Sequence, residues 1–350
     1  MDNYLKFILV FIASAIFSFL FSKIIIYLAS KFNILDYPKD GRKIHKKPIP
    51  LLGGLAIYFS FLLTILFLYL QGNLLDERMN IEMIFYFLLA GFILIIFGYL
   101  DDKYNLEAKY SILGPIIAVL LVVLLGGIRV NFITSFNNRI LYLDTFILLP
   151  YIISFIWLLG MTYTTKLLDG LDGLTSTIGL IASFIIFFVS LSWDVTGSTT
   201  SLMSLALAGS IFGFLLLNWQ PARIFLGESG SVFIGFALGV LSIISGSKIA
   251  TALLVMAFPI LDIIFVIFSR LKNKQKIWLG DREHLHFRLM SIGLSSKQVV
   301  FFMSTIGLLF GLISIFFTTK AKISALFILL ILMFMLSFFI NYRLKKNESI

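Results

Sequence analysis

The sequence predicts an all-α polytopic membrane protein of about eleven transmembrane helices. Three observations carry this. Apolar residues make up 59% of the chain and charged residues only 13%, whereas soluble domains average about 45–50% and about 25%. Mean hydropathy is +1.02. Stretches of about 20 apolar residues, the length that crosses a bilayer, recur eleven times along the 350 residues. They use up most of the chain, so residues 1–350 read as one integral membrane domain. The absence of cysteine excludes disulfide and thiolate chemistry. A net charge of +10 would suit nucleic acid in a soluble chain. In a membrane chain it marks loops that hold topology, so no nucleic-acid partner is expected.

In order, the spans are expected at 4–29, 50–70, 81–100, 111–127, 145–165, 174–193, 201–217, 232–246, 249–269, 299–318 and 323–341. The first has only Asp2 and Lys6 as charges near its start and is too long for a signal-peptide core, so it reads as an uncleaved anchor. Odd-numbered loops and the C-terminal tail carry 20 Lys and Arg, against 6 on even-numbered loops. That bias predicts an N-terminus outside, a C-terminus in the cytoplasm and odd loops facing the cytoplasm. The expected cytoplasmic loops lie near 30–49, 101–110, 166–173, 218–231 and 270–298, in a multi-pass inner or plasma membrane protein.

The unusual polar residues fall on those same loops. Loop 1 is basic and includes His45, Lys46 and Lys47 before Gly53 and Gly54. Asp101 and Asp102 directly follow the third span, where helix carbonyls already present partial negative charge. A cation should compensate them: Lys103, Lys109 or a divalent metal. A solvated helix end is the plainer reading. Lys166 opens the next cluster, in which Asp169 and Asp172 stand i, i+3 around Gly170 and Leu171 and would share a face of a starting helix. An ordinary helix cap accounts for one such aspartate more easily than for two Asp-Gly pairs. Glu228 precedes an apolar helix, where free N–H groups favour phosphate or carboxylate. His284, His286 and Arg288 alternate. Without further His or Cys to complete a tetrahedral zinc set, they suit phosphate contact or proton transfer. Asp262 lies inside the ninth span, either functional or paired within the bundle.

Carboxylate oxygens select Mg²⁺, or Mn²⁺, over softer metals, and magnesium commonly joins one or two carboxylates to substrate phosphates. Basic groups of loops 1 and 9 (Lys46, Lys47, Arg282, Arg288) would neutralise further phosphate charge. Such a site at a membrane edge points to phosphoryl transfer from a soluble nucleotide-linked donor to a lipid phosphate. The transporter alternative has little support, since only Asp262 suits a midplane site and no repeated halves are present.

Taken together and in this order, residues 42–54, 100–102, 168–174, 225–231 and 284–288 resemble the polyprenyl-phosphate N-acetylhexosamine-1-phosphate transferases (glycosyltransferase family 4), closer to the WecA/TagO branch than to MraY. The resemblance covers nearly the whole chain. It implies ten or eleven spans, a cytoplasmic active site, a Mg²⁺ requirement and transfer of HexNAc-1-phosphate from a UDP-sugar to undecaprenyl or another polyprenyl phosphate, releasing UMP. It implies that Asp101 and Asp102 bind or deprotonate the lipid phosphate. Asp169, Gly170, Leu171 and Asp172 would line the uridine pocket, with Asp169 and Glu228 as metal ligands. His284 and His286 would hold the diphosphate, with Lys46 or Lys47 nearby. Family members often form homodimers.

Three departures stand out. Lys166 and Tyr163 occupy positions where the family usually has Asn, Glu228 replaces Asp, and Phe287 replaces a His of many members. Glutamate for aspartate shifts the carboxylate by roughly 1.5 Å. Lys166 would contact the diphosphate or weaken Mg²⁺ binding. The changes fit either a coordinated variant of the site or a catalytically impaired homologue that binds nucleotide-sugar or lipid.

Overall fold

The computed structural model describes residues 3–38, 47–74, 76, 79–134, 139–193, 198–245, 249–276 and 283–348. Among these residues, eleven helical units are long and apolar enough to cross a membrane. In lipid the backbone has no water to bond, and a helix satisfies its N–H and C=O groups internally.

From the N-terminus, α1 (Asn3–Lys31) leads into β1 (Leu35–Asp36), which pairs antiparallel with β2 (Ile49–Pro50). Next come α2 (Gly53–Leu70) and α3 (Ile81–Tyr104). The short α4 (Ala108–Ser111), α5 (Leu113–Leu120) and a π turn at Leu121–Leu125 form one crossing-length unit. A hairpin of β3 (Phe132–Thr134) and β4 (Ile140–Tyr142) follows. Then come α6 (Leu149–Leu168), α7 (Leu174–Trp193), α8 (Thr199–Asn218), α9 (Gly227–Ile244) and α10 (Ile249–Lys272). The short α11 (Leu285–Ser291), about two turns long, precedes α12 (Ser296–Phe316) and α13 (Thr319–Glu348). The two short hairpins are additions to the all-α expectation, and both lie in connections between spans.

The helices are not equivalent. Buried positions make up 83% and 89% of the apolar stretches of α8 and α9, against 28% for α1 and α13. The first pair forms the centre of the bundle, and the second turns residues such as Ile16, Leu20, Phe334 and Phe338 outward, as a lipid-facing helix would. Small residues let the central helices approach. Gly209 and Gly213 on α8 lie against the backbone carbonyls of Phe11 and Ala15 on α1, and Gly235 and Gly239 on α9 lie against α6 at Met161 and Leu158. Both pairs have the small-xxx-small spacing that brings membrane helices close enough for dispersion forces to hold them. Ser60 of α2 adds a polar tie, donating to the Ser14 carbonyl of α1 at 2.6 Å and bonding Ser210 of α8 at 3.0 Å.

The far end of the bundle, at the even-numbered loops, is held by caps. Asp76 accepts from Thr199 N–H at 2.8 Å and so caps the start of α8. Asn80 caps α3 through Met83 N–H at 2.9 Å. Asp76 and Asn80 thus have structural partners at that end.

Candidate active site

Four helix ends and two loops meet at the end of the bundle formed by the odd-numbered connections. Loop 1 and loop 7 are clamped backbone to backbone. Phe225 N–H donates to Pro50 O at 2.8 Å, and Gly53 and Gly54 N–H donate to Phe225 and Leu226 carbonyls at 3.0 Å each. These bonds hold Leu52 at φ 76, a left-handed conformation uncommon for a bulky residue. A side chain at Gly54 would collide with the Ser229–Gly230 backbone, and one at Gly98 of α3 with Ser229. The starts of α2 and α9 and the end of α3 are therefore in backbone contact.

Asp101 and Asp102 belong to the last turn of α3, which runs on to Tyr104 rather than ending at Leu100. Asp102 crosses to α9: its Oδ1 accepts from Glu228 N–H at 2.9 Å, and its Oδ2 from Ser229 Oγ at 3.4 Å. The positive end of one helix thus offsets carboxylate charge stacked on the negative end of another. Gly227, the first residue of α9, has φ +73, and a Cβ there would stand 2.6 Å from Asp102 Oδ2. Asp101 turns the other way. It accepts from Leu106 N–H at 3.0 Å and Ser111 Oγ at 2.5 Å.

Lys166, in the last turn of α6, joins these acids. Its Nζ lies 2.8 Å from Glu228 Oε2 and 3.6 Å from Asp101 Oδ2, and it donates to Ser111 Oγ at 2.9 Å. Lys103 instead reaches the Tyr99 hydroxyl at 3.3 Å, and Lys109 pairs with Glu107 at 2.9 Å. Of the compensating cations that the sequence raised, neither flanking lysine serves the acid pair.

Asp169 stands just past α6 and within the field of Glu228 and Asp172. It keeps some open surface, yet burial first, then those two acids, pushes its carboxyl up to about 7. Asp172 accepts from Ala222 N–H at 3.1 Å, which ties loop 5 to loop 7. Leu171 is buried in the core and anchors this loop with its side chain. Gly170 lies directly against His286, since a Cβ there would overlap Nε2. The glycine is what lets loop 9 close onto loop 5.

His284 and His286 stack with ring centroids 5.8 Å apart and planes 1° apart. His284 Nδ1 is 3.0 Å from Asp262 Oδ2, and Asp262 Oδ1 accepts from Leu285 N–H at 2.9 Å. The lone acid of the ninth span is thus paired, and its partner is the first histidine. His286 is 1% exposed and neither ring nitrogen has a hydrogen-bond partner. Burial, helped by His284, pushes it down to about 3, so it is neutral at ordinary pH. Phe287 packs on its ring at 4.2 Å. Arg288 faces α13, donating to Ser337 Oγ at 3.2 Å and Asn341 Oδ1 at 3.0 Å, and burial lowers its pKa. Those bonds direct its guanidinium to α13, where the sequence reading placed it on phosphate. Lys47 is exposed at the start of the β2 segment. Lys46 and Arg282 lie outside the described residues.

The expected Mg²⁺ donors can be tested against this arrangement. Glu228 directs Oε2 at an ammonium, and Asp101 shares that ammonium. Among the described residues, no three His, Asp or Glu side chains are grouped so as to hold a metal ion. The donor set does not fit a divalent cation.

Ser111, which bonds both Asp101 and Lys166, had no signal in the sequence. Asp262 did have one, as a lone acid in a span.

Comparison with known proteins identifies the family. The chain matches Glycosyl transferase family 4 over residues 84–246, which include Asp101, Asp102, Lys166, Asp169, Asp172 and Glu228. It is 31% identical to a probable undecaprenyl-phosphate N-acetylglucosaminyl 1-phosphate transferase of Bacillus subtilis (strain 168), over 99% of this chain and 95% of that one. It is 30% identical to a decaprenyl-phosphate N-acetylglucosaminephosphotransferase of Mycobacterium leprae (strain TN), over 83% and 79%. A phospho-N-acetylmuramoyl-pentapeptide-transferase of Halalkalibacterium halodurans is 28% identical over 79% and 86%.

Proposed function

We propose, since this chain belongs to glycosyl transferase family 4, that it transfers HexNAc-1-phosphate from a UDP-sugar to a polyprenyl phosphate and releases UMP. GlcNAc-1-phosphate is the first candidate, since the Bacillus and Mycobacterium relatives are N-acetylglucosamine-phosphate transferases by name. The reaction would be the first membrane step of cell-envelope glycan synthesis, on the cytoplasmic face of the inner or plasma membrane. Loop charge supports that orientation.

The observation that carries this reading is the meeting of Asp101 and Asp102, Lys166 and Glu228 at one helix-end cluster, with Asp169 and His286 beside it. An oxygen of the lipid phosphate attacks the sugar-linked phosphorus of the donor. The bond from that phosphorus to the bridging oxygen breaks, and UMP leaves with the electron pair. A dianionic lipid phosphate needs no proton removed; a monoanion gives its proton to the Asp101/Asp102 pair. Asp102 is held for that task by the amide of Glu228 at 2.9 Å. Transfer of this kind depends on positioning and charge stabilisation, which Lys166 and the histidines supply. Neutral His286 offers a donor N–H to a phosphate oxygen and no added charge.

Purified protein incubated with undecaprenyl phosphate and labelled UDP-GlcNAc, UDP-GalNAc or UDP-MurNAc-pentapeptide tests this. The expected result is lipid-linked diphosphate sugar and UMP in equal amounts from at least one donor. Stabilisation by a UDP-sugar with no UMP release contradicts it and leaves a member that binds without turnover.

A further inference from the structure

Resting on that transferase reading, we propose that Lys166 is the resident cation of the site and that turnover proceeds without a divalent metal. The site needs a cation. It gathers the carboxylates of Asp101, Asp102, Asp169 and Glu228, and its substrates add a diphosphate and a phosphate. Among the described residues, the flanking lysines point elsewhere, Lys103 to Tyr99 and Lys109 to Glu107. Lys166 alone of the three reaches the acids.

An ammonium has three donors and no acceptor. Here three oxygens face it: Glu228 Oε2 at 2.8 Å, Ser111 Oγ at 2.9 Å and Asp101 Oδ2 at 3.6 Å. These come from α9, α4 and α3, so the charge is fixed from three directions on the terminal turn of a fourth helix, where the macrodipole also favours a cation. The side chain remains 20% exposed, which leaves the ammonium open to an incoming phosphate oxygen. Lysine binds phosphate well as a compact point charge.

The same geometry works against a metal. Mg²⁺ binds oxygen at about 2.0–2.1 Å. An ion on Glu228 Oε2 would therefore lie within about 5 Å of a positive nitrogen that stands 2.8 Å from that same oxygen. The longer glutamate side chain and the lysine form one matched pair: the first supplies the reach, the second the charge. In the transfer step Lys166 stays protonated throughout. It faces the non-bridging oxygens of the sugar-linked phosphorus while the bond from lipid oxygen forms and the bond to UMP breaks, so no proton or electron is left unaccounted for.

The test uses full-length protein in detergent and has two readouts. The first is UMP release with EDTA or with added Mg²⁺ or Mn²⁺. Wild type should change by less than about twofold. The second is thermal midpoint against Mg²⁺ concentration, since a ion that binds only the folded state raises it. Wild type should show no rise, and Lys166→Asn/Glu228→Asp should show one. Lys166→Arg, which keeps the charge, serves where the double variant fails to fold, and should also show no rise. EDTA-sensitive turnover restored by Mg²⁺, or a Mg²⁺-dependent rise in wild type, overturns the proposal and leaves the transferase reading intact. If no donor is turned over at all, the transferase reading fails, and the thermal arm alone decides for or against Lys166 as the cation.

Discussion

Asp262 of α10 and His284 at the start of α11 form a buried pair, Oδ2 to Nδ1 at 3.0 Å. The second carboxylate oxygen takes Leu285 N–H at 2.9 Å, so the acid fixes both the imidazole and the backbone that carries it. With Nδ1 turned to the carboxylate, Nε2 is the nitrogen left for a substrate. His284 stacks on His286, and His286 lies against Gly170. Asp262 is therefore a positioning residue for loop 9. Asp262→Asn should lower kcat by about 10²-fold with a smaller change in KM. Unchanged kcat in the folded variant would show that the pair is structural only.

Asp169 and His286 make stability respond to pH in opposite senses. Asp169 is raised to about 7 from an ordinary 3.8. The folded state then holds its proton through that window while the unfolded state has lost it, so stability falls as pH rises from about 4 to 7. His286 is lowered to about 3 from 6.5. The unfolded state takes up a proton that the folded state refuses, so this contribution is lost as pH falls from about 6.5 to 3. Asp169→Asn should raise Tm at pH 8 and lose that advantage near pH 4. His286→Gln should flatten the acid-side loss. Thermal midpoints across pH 4–8 separate the two.

Backbone contact at the site predicts intolerance of a single methyl group. A Cβ at Gly98 would fall inside the Ser229 backbone, and one at Gly54 inside that of Gly230. Neither neighbour is a flexible side-chain tip. Gly98→Ala and Gly54→Ala should each cost about 1–3 kcal/mol and should lower turnover by displacing Asp102 from α9. Gly72→Ser, at a φ of +70 with open space around it, is the comparison: backbone strain alone, far from the site, with turnover unchanged.

Orientation is open to direct measurement because the chain has no cysteine. Asn73 and Asn273 are exposed at opposite ends of the bundle. In intact cells a membrane-impermeant thiol reagent should label Asn73→Cys and spare Asn273→Cys. The reverse pattern would invert the topology inferred from the basic loops.

The eleven spans were legible because hydropathy reads runs of about 20 apolar residues, and those runs dominate this chain. Their ends were less so. α3 continues through Asp101 and Asp102, α6 includes Lys166, and α9 begins at Gly227. Charged residues end a hydropathy window but not a ladder of hydrogen bonds, particularly where another helix end offsets their charge, as α9 does for Asp102. The spacings Gly209/Gly213 and Gly235/Gly239 carried a packing signal that an apolar count passes over. Loop 5 and loop 9 were expected at the same site, and Gly170 against His286 brings them there. The pairing of Asp262 with His284 and the bridging place of Ser111 depend on side chains 22 and 55 residues from their partners, which no local pattern encodes. Arg288 shows the converse: a basic residue in a promising motif whose bonds go to α13.

The role of Asp102 is read from the transfer rate of Asp102→Asn beside wild type, with undecaprenyl phosphate and the preferred UDP-sugar. Asparagine keeps an oxygen for the Glu228 amide, puts an NH2 where an oxygen accepts from Ser229 Oγ, and removes the carboxylate that can carry charge or take up a proton. Folded protein with turnover reduced about 10²–10⁴-fold is expected. Wild-type turnover in that variant would contradict that role.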